Sequence, residues 1–267
     1  MGGPAQVLAH PSSLAQLSTL AQRCHEKRIP VYVLGDGANL LIADEGVKGV
    51  VIKLDDSTFK QVAIDAKTGL VTAGAGVDLK QLVLDTAKAG LAGLECLAGI
   101  PATVGGAVKM NAGGAYGDIG RAVSKVHLMD ATGQSYSRDR DDLVFAYRKT
   151  NIVGRFITAV DFALTPDDPE TLVKRVKEIF AWKSATQPLG AHSAGCAFKN
   201  PPPDVGASAG QLIDRAGLKG FALAAPRYPT STLISSWFKT RQGSRHPRGH
   251  ATHRTDRAKQ IWCQTRT

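Results

Sequence analysis

The chain has 267 residues, 43% hydrophobic and 21% charged, proportions of a globular protein that exclude a disordered or fibrous one. No apolar run approaches the roughly 20 residues of a membrane span, and the four cysteines, Cys24, Cys96, Cys196 and Cys263, make no CxxC pair for zinc or dithiol chemistry. The net charge of +10 is unevenly placed: residues 221–267 hold nine Lys or Arg against the single acid Asp256, leaving 24 basic and 22 acidic residues in 1–220.

In chain order, Ser13 to about Lys27 sets Leu14, Leu17, Leu20 and Ala21 at helical spacing. Val31–Leu34 is a β-rich run, broken by Gly35-Asp36-Gly37-Ala38-Asn39. Read alone, this Gly-x-Gly is a hairpin turn; it lacks the third glycine and following helix of a Rossmann fingerprint. Val47–Leu54 and Leu70–Ala73 read as strands, and Leu79–Ala89 as a helix with Gly90 as its C-terminal stop. Residues 93–117 are dense in glycine and nearly free of charge. Interior glycines cost backbone entropy, so this stretch is predicted to form no core helix or strand. Two uses remain open: tight turns, or close approach of bare backbone to a ligand, with N–H groups aimed at a phosphate. Ser124–Met129 and Phe156–Leu164 read as strands. Pro169–Lys183 reads as a helix with Leu172, Val173, Val176, Ile179 and Phe180 on one face. Short strands mixed with helices, without a regular βαβ beat, predict an α+β fold.

The ordered motifs resemble a family. Leu34-Gly35-Asp36-Gly37-Ala38-Asn39-Leu40-Leu41 is followed by Gly93-Leu94-Glu95-Cys96-Leu97-Ala98-Gly99-Ile100-Pro101 and Thr103-Val104-Gly105-Gly106-Ala107. Met110-Asn111-Ala112-Gly113 comes next, then Phe145 to Thr150, Ser193 to Pro201, and Ala209 to Gly220. In this order they are similar to UDP-N-acetylenolpyruvoylglucosamine reductase, a flavoenzyme of bacterial peptidoglycan precursor synthesis. The resemblance implies a two-part FAD-binding region of the non-Rossmann PCMH type over residues 1–166, with lobes of about 1–55 and 56–166. A smaller α/β substrate-binding domain, incomplete here, follows over 167–220, and Pro166-Asp167-Asp168-Pro169 suits the boundary. It also implies FAD and NADPH as cofactors, a UDP-sugar substrate, a cytoplasmic bacterial setting, and no metal, nucleic acid or membrane partner. The scattered cysteines agree with a reducing cytosol, and Met1 to Ala5 does not read as a secretory signal. Another flavin oxidase or dehydrogenase would lack the Ser193 to Pro201 block.

The implied reaction reduces an enolpyruvyl double bond. Charge builds on the substrate carboxylate, and a fixed cation there lowers the barrier. The resemblance places Arg148 in that role, within Tyr147-Arg148-Lys149-Thr150; without it, Arg148 reads as a surface arginine. Cys196 takes the family's usual serine position as proton donor, with a small buried hydrophobe as its plain reading. Tyr147, Lys199 and Asn200 are substrate-binding candidates, although a lysine beside Asn-Pro equally suits a solvated turn. FAD-binding residues carried over are Gly35, Asp36, Gly37, Ala38, Asn39, Gly99, Ile100, Pro101, Gly105, Gly106, Asn111, Ala112 and Gly117. Cys24 and Cys96 read as buried hydrophobes.

The chain departs from the family at both ends. The family has a further segment before Gly2-Gly3-Pro4-Ala5, so a strand near the flavin region is expected to be absent. After Phe221 the family's closing block, with a glutamate that polarises the substrate, is missing. The tail has no apolar period and almost no acid. One back-translation of Lys259 to Arg266, read one base later, gives Ser-Arg-Phe-Gly-Val-Lys-Leu-Glu, the family's ending. The tail therefore reads as a shifted frame, and the chain as written is expected to turn over little. The alternative is a natural basic tail that binds a polyanion, on a protein that binds FAD or a nucleotide sugar without turnover.

Overall fold

The computed structural model describes residues 3–187 and 198–218. The chain opens with β1 (Ala5–Ala9), α1 (Leu14–Glu26), β2 (Val31–Val33) and β3 (Val47–Ile52). The strands form a parallel sheet in the order β1-β3-β2. Helix α1 starts at Ser13, whose hydroxyl accepts from the Gln16 N–H at 3.2 Å. It buries Leu17, Ala21 and Cys24, one helical stripe, while central β3 buries Val50, Val51 and Ile52. The flanking strands stay open: Val7, Leu8, Tyr32 and Val33 are exposed. The chain does form a strand at its start, β1, which the sequence reading did not place.

The chain continues with β4 (Val62–Asp65), β5 (Leu70–Gly74), α2 (Leu79–Lys88), β6 (Leu91–Ala92), α3 (Val104–Lys109), β7 (Gly113–Gly114), β8 (Gly117–Asp118), β9 (Val123–Met129) and β10 (Ser135–Asp139). The hairpin β11 (Phe145–Ala146) and β12 (Lys149–Thr150) precedes β13 (Phe156–Ala163), β14 (Thr165–Pro166) and α4 (Pro169–Thr186). A last short helix, α5 (Ala209–Arg215), carries a Ser208–Gln211 capping box. The main sheet is antiparallel in the order β10-β9-β13-β5-β4. Its central strand β13 buries Phe156, Val160 and Phe162. The expected α+β class is what forms.

Gly90 stops α2 as expected, with φ of 73° and its N–H on the Ala87 carbonyl. Helix α4 is capped by Asp168, whose carboxylate accepts from the Thr171 N–H at 2.8 Å, with Pro169 in the first turn. Its buried stripe is Leu172, Val176, Ile179 and Lys183, the first three part of the core shared with the first 166 residues. Phe180, placed on that face by the sequence reading, is 42% exposed, while Lys183 is 6% exposed. The step from 179 to 183 continues the stripe, and an ammonium that finds carbonyls can follow its apolar stem inside.

The glycine-dense segment corrects the sequence reading: it does contain a helix, α3. Thr103 caps it by accepting from the Gly106 N–H at 3.3 Å, and Val104, Ala107 and Val108 are buried. Glycine is used for proximity here. A Cβ on Gly105 would lie 2.8 Å from the Ala75 Cβ, so the bare residue lets the helix sit directly on the end of β5.

Candidate functional site

The fold brings the two glycine-rich segments together. A Cβ on Gly35 would lie 2.7 Å from the Thr103 Oγ1 that caps α3. The loop after β2 is held at its start by the Leu34 N–H on the Ile52 carbonyl, at 2.9 Å, and closed by the Leu40 N–H on the Gly37 carbonyl. Between these bonds the N–H groups of Gly35, Asp36, Gly37 and Ala38 have no partner among the described residues. Successive free amides at the end of a parallel strand form a concavity suited to an anion.

The second segment is built differently. The amides of Ile100, Gly105, Asn111 and Ala112 already donate to Leu97, Ala75, Val108 and Ala107 carbonyls, and Gly106 donates to Thr103. Pro101 has no N–H. These residues offer close backbone approach rather than free donors. Gly99 and Gly117 turn the chain at φ of 76° and 135°. Of the thirteen FAD candidates, the first loop thus carries a run of successive open amides, while the second segment is a wall beside it in which the Gly99 N–H also lacks a partner among the described residues.

That wall is fastened from α4. The Lys183 ammonium donates to the Ala98 carbonyl at 2.6 Å and the Cys96 carbonyl at 3.4 Å, just before Gly99-Ile100-Pro101. Burial pushes its pKa down. Lys183→Met keeps the stem and removes the donor. It is expected to cost about 1–3 kcal/mol by leaving a buried carbonyl unbonded, read by chemical denaturation.

Cys24 is buried and Cys96 half-buried, close to the expected readings. Burial, then the Glu95 charge, pushes the Cys96 thiol up to about 11, and burial raises Cys24 as well. At pH 8 the native Cys96 is expected to react with iodoacetamide about 100-fold more slowly than in the unfolded chain, by its smaller thiolate fraction. Peptide mass spectrometry after timed quenching reads this rate.

The second cluster is the β11–β12 hairpin. Phe145 pairs Thr150 and Ala146 pairs Lys149, so Tyr147 and Arg148 form the turn. Arg148 has φ of 57°, where a non-glycine residue is strained by on the order of 1–3 kcal/mol. Its guanidinium lies 6.0 Å from the Tyr147 ring centroid and has no acidic partner among the described residues. The Tyr147 hydroxyl accepts from the Asn200 N–H at 3.4 Å, and the Asn200 side-chain oxygen accepts from the Ala209 N–H at 3.1 Å. The structure therefore brings Tyr147, Arg148 and Asn200 together, with Lys199 beside them and exposed. Cys196 lies outside the described residues.

Three side chains escaped the sequence reading: Thr103, Lys109 and Lys183. Each bonds backbone rather than ligand, and no local motif marks that task. Asn111, an FAD-binding candidate by resemblance, has a side chain that joins two segments: its Nδ2 donates to the Ala146 carbonyl and its Oδ1 accepts from the Gly120 N–H, both at 3.1 Å. Among the described residues no three His, Cys, Asp or Glu side chains group as a metal site, and no helix is long and apolar enough to cross a membrane.

The FAD binding domain family matches residues 5–137, and the C-terminal domain family of UDP-N-acetylenolpyruvoylglucosamine reductase matches residues 187–228. The reductase of Desulfosudis oleivorans is 41% identical over 233 residues, covering 84% of this chain and 74% of that protein. That of Heliobacterium modesticaldum is 41% identical over 225 residues, covering 84% and 70%. The crystal structure of the Thermus caldophilus enzyme superposes with a TM-score of 0.70 at 39% identity, covering 84% of this chain and 77% of that one. Free amides beside a bare-backbone wall, followed by the Tyr147–Arg148 turn, are thus set in a chain that belongs to the UDP-N-acetylenolpyruvoylglucosamine reductase family.

Proposed function

We propose that the chain binds FAD and reduces the enolpyruvyl group of UDP-N-acetylglucosamine enolpyruvate, giving UDP-N-acetylmuramate for peptidoglycan synthesis in the cytoplasm. The observation that carries the reading is Arg148: an arginine held left-handed at a hairpin tip, without an acidic partner among the described residues, beside Asn200. Such a guanidinium is free to meet a carboxylate through two N–H bonds. The unbonded amides of residues 35–38 fit a pyrophosphate, and the closeness of Gly35 to Thr103 leaves the backbone bare on that side. When bound, FAD supplies the hydride chemistry, with NADPH as the source of reducing equivalents. Arg148 stabilises the negative charge that develops on the substrate carboxylate. Cys196 delivers the proton to the adjacent carbon, and its thiol, with an ordinary pKa of about 8.5, is reprotonated near neutrality. Tyr147, Lys199 and Asn200 orient the UDP-sugar.

A second reading, binding without turnover, is favoured for the chain as written by one observation: the C-terminal family match stops at residue 228. The experiment separates the two. Purified protein is expected to be yellow and to gain thermal stability with added FAD. NADPH oxidation with the enolpyruvyl substrate is expected to be feeble in the 267-residue chain and strong once the tail is read in the shifted frame. A chain folded by circular dichroism but without flavin absorbance or thermal shift with FAD refutes the reductase reading; absence of a shift with a UDP-sugar as well refutes binding without turnover. Strong turnover by the chain as written refutes the shifted frame.

A further inference from the structure

We propose that Lys109 and Asn111, where α3 ends, are positioning residues that lock the Tyr147–Arg148 turn to the glycine-rich segment. The inference rests on the role of Arg148 proposed above. Beyond the pairs Phe145–Thr150 and Ala146–Lys149, the hairpin is closed at its base by the Asn151 N–H on the Val144 carbonyl at 3.2 Å and the Val144 N–H on the Asn151 Oδ1 at 2.9 Å. So short a two-stranded ribbon is marginal alone, and its strained Arg148 gains from an outside constraint.

Helix α3 supplies that constraint on both sides of the turn. On the incoming strand, Asn111 Nδ2 donates to the Ala146 carbonyl at 3.1 Å. On the outgoing strand, the Thr150 hydroxyl donates to the Lys109 carbonyl at 3.2 Å. Beyond it, Lys109 Nζ donates to the carbonyl of buried Ile152 at 2.5 Å. The other end of the Asn111 amide accepts from the Gly120 N–H, and a Cβ on Gly120 would lie 2.4 Å from the Phe145 ring. Phe145 therefore seats against bare backbone that Asn111 itself holds.

Asn111 can do this because of how α3 stops. Its φ is 43°, and the N–H bonds of Asn111 to Val108 and of Ala112 to Ala107 form the left-handed terminus of the helix. Asparagine tolerates that conformation and, unlike glycine, also provides an amide side chain. At 8% exposure, that amide is committed inside the protein. The start of the same helix, Thr103, touches Gly35. One short helix thus connects the anion-binding loop to the turn that carries the cation.

Hydrogen exchange on the full FAD-bound chain tests the lock. Asn111→Asp keeps the acceptor for Gly120 and loses the donor to Ala146. Asn111→Gly keeps the backbone and loses both, and Lys109→Met loses the bond to Ile152. Amides of residues 145–152 are expected to exchange at least tenfold faster in all three, while β9 and β13 keep their rates. The turn at 119–121 is expected to loosen only in Asn111→Gly. In the frame-restored chain the same variants should lower kcat at least tenfold. Unchanged exchange at 145–152, or uniform loosening that includes β9 and β13, overturns the lock. A loosened hairpin with full kcat overturns the positioning role. If Arg148→Ala itself retains full activity, the reading of Arg148 has failed and the exchange pattern still judges the lock.

Discussion

Arg148→Ala is expected to slow reoxidation of the reduced flavin by the enolpyruvyl substrate by about 10² or more, the scale for losing an oxyanion-type contact. Its reduction by NADPH should change little. The measurement is stopped-flow absorbance of each half-reaction in the frame-restored chain. The contrast matters because, in the role proposed for it, Arg148 meets charge that develops only when the substrate is reduced. Arg148→Lys keeps the charge but loses the fork that meets a carboxylate through two bonds, so an intermediate loss is expected. Arg148→Gly relieves the backbone at φ of 57°, and therefore should not be less stable than Arg148→Ala. Equal loss in both half-reactions would move Arg148 out of its assigned role.

Gly105→Val is expected to lower the melting temperature by about 2–12 °C, from overpacking of roughly 1–3 kcal/mol. Even an alanine Cβ would lie 2.8 Å from the Ala75 Cβ and 3.2 Å from the Ala75 carbonyl oxygen, and neither is the far end of a flexible chain. The valine would push α3 off β5 and break the Gly105 N–H bond to Ala75. Thr103, at the start of that helix, would leave Gly35. FAD should then bind at least tenfold more weakly, read by flavin fluorescence titration. A variant with wild-type melting temperature and affinity would show that α3 is not fixed against the sheet as described.

The strands that the sequence reading found and missed divide on physical grounds. Central β3, β5, β9 and β13 are buried on at least one face, so their apolar residues stand out. Among strands of three residues or more, the missed β1, β4 and β10 are all sheet edges; edge β2 is the exception, its Val31-Tyr32-Val33 being apolar throughout. β10, Ser135-Tyr136-Ser137-Arg138-Asp139, has scarcely an apolar residue and forms because β9 offers it a ladder. The site divides likewise. The loop at 35–39 and the Tyr147–Arg148 turn enter the sequence reading only through the family resemblance, since alone they read as a hairpin turn and a surface arginine. Lys109, Lys183 and the Asn111 side chain do not enter it, because they bond carbonyls that only the folded chain brings near. The helix inside the glycine segment was misread for a related reason: its glycines answer to the proximity of Ala75, a contact absent from the local pattern.

The bond between the Tyr147 hydroxyl and the Asn200 amide, at 3.4 Å, has a thermodynamic consequence. It joins a hairpin fastened to the flavin region with the segment that leads to α5 and the substrate candidates. Any ligand that quiets one side reduces the ordering cost of a ligand on the other. If FAD improves affinity for a UDP-sugar by some factor, the UDP-sugar must improve affinity for FAD by that same factor. Tyr147→Phe removes the acceptor while keeping the ring under Arg148, so it should pull that shared factor toward one.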